Sequence, residues 1–380
     1  MQFSDSLVFP ALADGPEAVQ VESDVAERFG RSFSKGARRG LMLFRSNSIL
    51  LRIAILFLLM SRTAAFAQRA TLRAANPIIL PGISDSNSPV HWRDGKIVIF
   101  QSLELPLMTQ GLRQSEQLKA RAVVLKNSNH YPLWIESTWV DDDGTLYAWY
   151  HHEQWVCAPL SVPKIGALVS NDGGRSFSDL GIILESAYPT ECAAGNGIFA
   201  GGHGDFTVLL DPWRQYFYFY FTNYSGPLSS QGVAVARMAF PDRRNPVGRL
   251  WKFRENSWAE PGLRGSLTAV LPARVSWNRL TTDSFWGPSL HWNTFLNQYV
   301  MLLNRSCCAP KWPQEGIYIS FNPDLSNPYA WTPPTKILNG EQAQWYPQVI
   351  GLRPGTDKLA GRVARFYMGG ESHWNIVFGY

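Results

Sequence analysis

Charge is scarce in this chain. Only 17% of its 380 residues are Asp, Glu, Lys or Arg, against ~25% in an ordinary soluble domain. Residues 1–67 hold 8 of the 35 basic and 6 of the 30 acidic residues, so the remainder carries 27 and 24, a net +3. So small an excess leaves no electrostatic footprint for nucleic acid, and that class of partner is excluded. Long apolar runs are also missing. The most compact one, Ile53 to Met60, is too short to cross a bilayer, which takes ~20 residues. There are four cysteines, Cys157, Cys192, Cys307 and Cys308, with no Cys-x-x-Cys pair and no histidine cluster at zinc spacing; no metal site is expected. No stretch keeps a long 3.6-residue apolar period, so helices should be few, with residues 112–122 the best candidate.

What is present begins with a targeting signal. Arg45 and Arg52 precede the apolar run, and Ala65-Phe66-Ala67 follows it as an A-x-A cleavage site. Residues 42–67 read as a secretory signal peptide starting at Met42, and residues 1–41 as an upstream extension foreign to the native product. No cysteine follows the run, which argues against a lipoprotein anchor. The mature chain, residues 68–380, is expected to be secreted or periplasmic, monomeric and without a stable membrane anchor. Its cysteines can then form disulfides. Cys157–Cys192 is the expected bridge, while Cys307-Cys308 is either a vicinal bridge or reduced.

One phrase recurs: a polar or acidic residue, Pro or Thr two places later, a turn, then an aromatic run. Its copies centre on Pro89, Thr138, Thr207, Pro288 and Pro347. Each is followed by an Asp-, Asn- or Gly-rich turn and by a strand such as Tyr216 to Phe221, apolar on both faces as a strand buried between two neighbours should be. Third strands follow at Ile165 to Ser170, Gly232 to Arg237 and Gly316 to Phe321. Five copies of a strand-turn-strand unit predict an all-β, five-bladed β-propeller. Pro77 to Leu80 is a candidate strand for closing the last blade.

Ser170-Asn-Asp172-Gly-Gly174-Arg-Ser-Phe177 matches the Asp-box pattern. Asp172 can bond backbone N–H groups, Gly174 can take positive φ, and Phe177 can anchor the hairpin in the core. The pattern is common in sialidases and other secreted carbohydrate-acting propellers.

In each copy the residue two places before the Pro or Thr should face the axis. These are Asn87, Glu136, Asp205, Trp286 and Trp345, with Asp85 and Asp283 on the approach loops. One pocket would then gather Asp85, Glu136, Asp205 and Asp283, walled by Trp286, Trp345 and Tyr346. Carboxyls beside aromatic platforms suit glycoside hydrolysis: one protonates the leaving oxygen, another activates water, and rings stack on sugar faces. Glu153 and Glu191 are further acid candidates. His91 and His291 occupy matching places in two copies beside Trp92 and Trp292. His151, His152 and His203 lie near strand ends that approach the pocket.

This layout resembles the five-bladed propeller glycosidases, above all glycoside hydrolase family 43. Trp286-Gly-Pro288 is similar to that family's Glu-Gly-Pro motif, with Trp in place of the acid, so the acid does not carry over there. The resemblance implies an oligo- or polysaccharide substrate, Asp85 as general base, Glu136 as substitute acid, and Asp205 as the third carboxylate that raises the acid's pKa and orients it. Substrate contacts would come from Trp286, Trp345, Tyr346, His91, His291 and Asp283. Some propellers of this type hold an axial calcium or other ion through a histidine and waters; no cofactor is expected here. Two other readings stay open. One is a non-catalytic carbohydrate-binding or scaffold propeller, favoured by the missing Glu. The other is a sialidase-like enzyme, which needs Arg237 or Arg279 to point inward. Sequencing the N-terminus of the secreted product should return Gln68; a product beginning near Met1 would contradict the assignment of residues 1–67.

Overall fold

The computed structural model describes residues 69–82 and 84–380. The upstream extension and signal peptide, 1–41 and 42–67, lie outside the described residues. Five sheets, built mainly of antiparallel pairs, surround one axis. Their innermost strands are Val90–Arg93, Leu133–Val140, His203–Leu210, Asp283–Asn293 and Pro347–Gly351, so each copy of the repeated phrase starts one blade. Blade five is completed by Arg69–Ile79, which pairs with Glu371–Gly379 and closes the ring with the N-terminal end of the described chain. The only helical elements among the described residues are two short 3₁₀ turns, Phe240–Arg244 and Gly340–Gln342.

The aromatic runs explain why the blades pack. In Tyr216–Asn223, successive side chains point to opposite faces. Phe217, Phe219 and Phe221 enter the core shared with blade two, while Tyr218 and Tyr220 enter the core shared with blade four. The same two-sided burial recurs between blades four and five, one and two, and five and one. Each blade is therefore an apolar layer between two others, and its edges stay short.

The helix expected at residues 112–122 is not there. Leu105–Arg113 is a strand, and Glu116–Gln117 and Arg121–Ala122 fold back onto it. Leu112 and Leu118, which would have marked an apolar helix face, are exposed. Gln114 is drawn instead to blade five, donating to the Gly351 carbonyl at 2.7 Å and accepting from the Tyr367 hydroxyl at 3.0 Å. Tertiary pairing overrides a weak local preference.

Two disulfides are formed, Cys157–Cys192 and the vicinal Cys307–Cys308. The first ties residues 185–202, which run over one end of the axis, to the second strand of blade two. At the tight turn after Ser170, Asp172 Oδ1 accepts from the Ser176 N–H at 2.9 Å and the Ser170 hydroxyl accepts from the Gly174 N–H at 2.9 Å. Gly174 has φ +91°, and a Cβ there would meet Phe100 at 2.4 Å. Phe177 is fully buried in the core between blades one and two. Phe177→Ala should therefore cost ~3–5 kcal/mol of stability, read as a lower urea midpoint at unchanged slope; a cost below ~1 kcal/mol would mean that the hairpin is not anchored by this ring.

Candidate active site

Three inner strands carry a β-bulge at, or directly after, the residue expected to face the axis. The register shifts between Ile135 and Ser137, between Gly204 and Phe206, and between Trp286 and Ser289. A bulge re-aims one side chain out of the alternation. Asp205 has φ +42°, Gly287 φ +56° and Tyr346 φ +59°, so three blades enter their inner strands in the left-handed region. These irregularities turn Glu136, Asp205, Trp286 and Tyr346 toward the axis.

At the centre lies His151, from the second strand of blade two. Its Nδ1 is 3.2 Å from Glu136 Oε1 and 4.0 Å from Asp205 Oδ1, and its Nε2 is 3.5 Å from Glu153 Oε1. Glu136 Oε2 accepts the Phe206 backbone N–H at 2.8 Å. Asp205 accepts hydroxyl hydrogen bonds from Tyr224 and, at 3.2 Å, from Tyr346. Asn87 crosses from blade one to donate to the Phe206 carbonyl at 3.2 Å. Glu136, His151 and Asp205 are all buried. Above them, Phe199, Tyr224, Trp277, Trp286, Trp312 and Tyr346 form one aromatic cluster. Trp312 follows the vicinal disulfide by a few residues, and Phe199 lies on the segment tied down by Cys157–Cys192.

Burial, with help from Glu136 and Glu153, pushes the Asp205 carboxyl up to about 7, against the opposing pull of His151 and the Tyr224 hydroxyl. Burial pulls His151 down, but its hydrogen bond to Glu136 and the charges of Asp205 and Glu153 outweigh that and hold it at about 9. Asp85 is raised by burial and by Glu153 and Glu136, with His151 and the Tyr346 hydroxyl opposing. Asp205 and Asp85 are thus two carboxyls of the site held toward the protonated form.

Asp85 is half-buried and lines an open cavity of about 320 Å³ with Trp345, Tyr346 and Gln344. The structure thus brings Asp85, Glu136, Asp205, Trp286, Trp345 and Tyr346 to one end of the axis. It places three expected site residues elsewhere. Asp283 is clasped by the Arg305 guanidinium at 2.9 and 3.0 Å, away from the carboxyl cluster. His91 and His291 sit four to five residues further along the chain than the axial position, ~13 Å or more toward the opposite end, His91 stacked on Phe100 and His291 edge-on to Phe378. Glu191 is exposed. His203 packs on Phe221 and His152 bonds the Pro132 carbonyl, both outside the cluster. Arg237 lies between Tyr216 and Trp258, and Arg279 is exposed, so neither faces the carboxyls. Sequence reasoning missed Tyr224; its one signal is its place at the end of the aromatic second strand of blade three.

Glu136, His151 and Asp205 each offer a donor atom within 4.8 Å of the others, the spacing of a three-ligand cation site. The donor set does not fit calcium, which takes 6–8 oxygens: Glu136 Oε2 is committed to a backbone N–H and both Asp205 oxygens to tyrosyl hydroxyls.

Comparison with protein-family models finds no match, and comparison with curated proteins finds none. Solved structures do resemble the chain. A thermostable family-43 glycoside hydrolase aligns at 14% identity and TM-score 0.48, over 81% of this chain and 93% of that one. An exo-1,5-alpha-L-arabinanase from a bovine ruminal metagenomic library aligns at 11% identity and TM-score 0.47, over 82% and 94%. The GH62 alpha-L-arabinofuranosidase catalytic domain of Coprinopsis cinerea aligns at 10% identity and TM-score 0.47, over 81% and 96%. At such identities none of them carries an activity over to this chain.

Asp205 and His151 both hold protons in the folded chain that the unfolded chain has released, over the ranges 3.8 to about 7 and 6.5 to about 9. Their contribution to stability is present at low pH and lost as pH rises through those folded values. In urea unfolding of the native chain and His151→Gln at pH 7 and 9, the stability advantage of the native chain should shrink as pH rises; an advantage independent of pH would contradict the raised imidazole.

Proposed function

We propose that the protein is a secreted glycoside hydrolase acting on an oligo- or polysaccharide at the carboxyl-lined end of the axis. One observation carries this reading: Asp85, Glu136, Glu153 and Asp205, from three blades, converge around the His151 imidazole, and two of them are held toward the protonated form. A carboxyl held up to about 7 can keep a proton near neutral pH and so serve as an acid.

Asp85 borders the open cavity beside Trp345, where a sugar ring stacked on the indole would meet its carboxylate. It is the base that accepts a proton from the attacking water. The proton for the leaving oxygen comes from the Glu136–Asp205 pair; closely coupled carboxyls share a proton as a pair. Tyr346, hydrogen-bonded to Asp205 and bordering the same cavity, connects the two. His151 positions the pair and balances its charge. For the pair to reach a glycan, the aromatic cap carrying Phe199 and Trp312 must move aside.

That burial favours a second reading, a propeller that binds glycan at the Asp85–Trp345 cavity without cleaving it. The two are separated by screening the mature protein against nitrophenyl glycosides and polysaccharides. Hydrolysis by the native chain, reduced ~10²–10⁴-fold in Asp85→Asn and in Asp205→Asn, supports the hydrolase. Full activity in both variants would sink it, and saturable binding of a glycan that is never cleaved would establish the binding propeller instead.

A further inference from the structure

A cavity of about 500 Å³ lies away from the carboxyls. It lies at the other end of the same axis. Every blade contributes to its wall: His91 from blade one, Thr138 from blade two, Val208 from blade three, Trp292 from blade four and Lys358 from blade five. Glu136 lies in the middle of the inner strand Leu133–Val140 and Val140 at its end, ~13 Å apart, so the two sites are separate.

The far end is built by an unusual connection. The inner turns of the first four blades are short: residues 94–95, 141–145, 211–215 and 294–297. In blade five, residues 352–362 intervene between the inner and second strands. This segment crosses the mouth of the axis. Leu359–Ala360 pairs in parallel with Trp292–Asn293 of blade four, Asp357 accepts the Val90 N–H of blade one at 3.0 Å, and Lys358 reaches Thr207 of blade three at 3.0 Å. Ring closure needs none of these contacts, yet together they wall a space of the size small ligands occupy.

The chemistry of the wall narrows the ligand. Trp139, Trp292, Tyr299 and Val208 make it mainly aromatic and apolar. Its charges are already satisfied: the Lys358 ammonium is 2.6 Å from Asp357 Oδ2, and Asp211 accepts the backbone N–H groups of Gln215 and Tyr216, each at 2.8 Å. An anion finds no free counter-charge, and both Asp211 oxygens are engaged by backbone N–H groups. His91 is 2% exposed, its Nδ1 has no partner, and its ring forms no hydrogen bond among the described residues. Burial and the nearby Arg93 hold this imidazole down at about 4, so near neutral pH it offers one donor and one acceptor nitrogen. A buried polar ring left unpaired at the edge of a cavity is costly unless a guest or a water completes it.

We propose that this far end of the axis is a second ligand-binding site, taking a small uncharged aromatic molecule with a hydroxyl edge, the phenol class, with the ring packed against the Trp292–Tyr299 pair and the hydroxyl at His91. The site is independent of the glycan reading.

Calorimetric titration of the mature protein with p-cresol tests this. Saturable one-to-one binding is expected, with benzoate, of similar size but charged, at least about ten-fold weaker. Val140→Trp fills the cavity from its rim and should weaken p-cresol about ten-fold or more, while His91→Phe, which keeps the ring and removes its nitrogens, should weaken it several-fold. If Val140→Trp fails to fold, Trp292→Leu removes the stacking wall and serves in its place. No saturable p-cresol binding, affinity unchanged in the cavity variant, or benzoate binding as tightly as p-cresol would each overturn the proposal.

Discussion

Ring closure is the constraint on which the rest of the molecule depends. Arg69–Ile79 pairs antiparallel with Glu371–Gly379, so the outer strand of blade five comes from the opposite end of the described chain. Each blade is apolar on both faces, and a row of such blades can hide both faces of every member only by closing on itself. Leu80, beside the closing strand, and Ile350 and Tyr367 of blade five meet Ile97 and Ile99 of blade one in the final core. Closure also sets the axis. Five inner strands that start at one end and finish at the other must bring equivalent residues together twice, once at each mouth.

The first mouth carries charge in a dry place. Removing a carboxylate from water is expensive unless it is paired or protonated, and Glu136, His151 and Asp205 use both routes. Glu136 is satisfied by an imidazolium and a backbone N–H. Asp205 keeps its proton longer than an ordinary aspartate and is held by two tyrosines. The aromatic cap excludes the water that would screen these charges, which is why their protonation depends so strongly on one another. The second mouth is the reverse case, with Lys358 paired to Asp357 and walls mainly apolar.

Much of the fold was legible because its signals are local. Alternation in Tyr216 to Phe221 announces a strand buried on both sides whatever its partners are, and the recurring phrase marks where each inner strand begins. The convergence of Glu136 and Asp205 could be read from the same alignment. Other expectations failed where a long-range partner decides. Residues 112–122 lack a buried helix face but hold Gln114, which blade five captures. Asp283 has the composition of a site residue, yet Arg305, 22 positions later, takes both its oxygens. His91 and His291 match each other in the repeat, but the rise along a strand carries them to the opposite mouth. The pairing of the four cysteines needed the folded chain, since spacing alone left Cys307 and Cys308 open.

By itself, the sequence determined the strand periodicity, the number of repeats and the residue in each repeat that turns toward the axis, because these depend on neighbours a few positions away. The tertiary structure decided which carboxyl keeps its proton, that an aromatic cap covers the cluster, and that a second cavity forms at the far end. The reason is physical: hydrogen bonds here join residues 70, 119 and 141 positions apart. Burial and electrostatic coupling of this kind are properties of the assembled ring, and no local pattern encodes them.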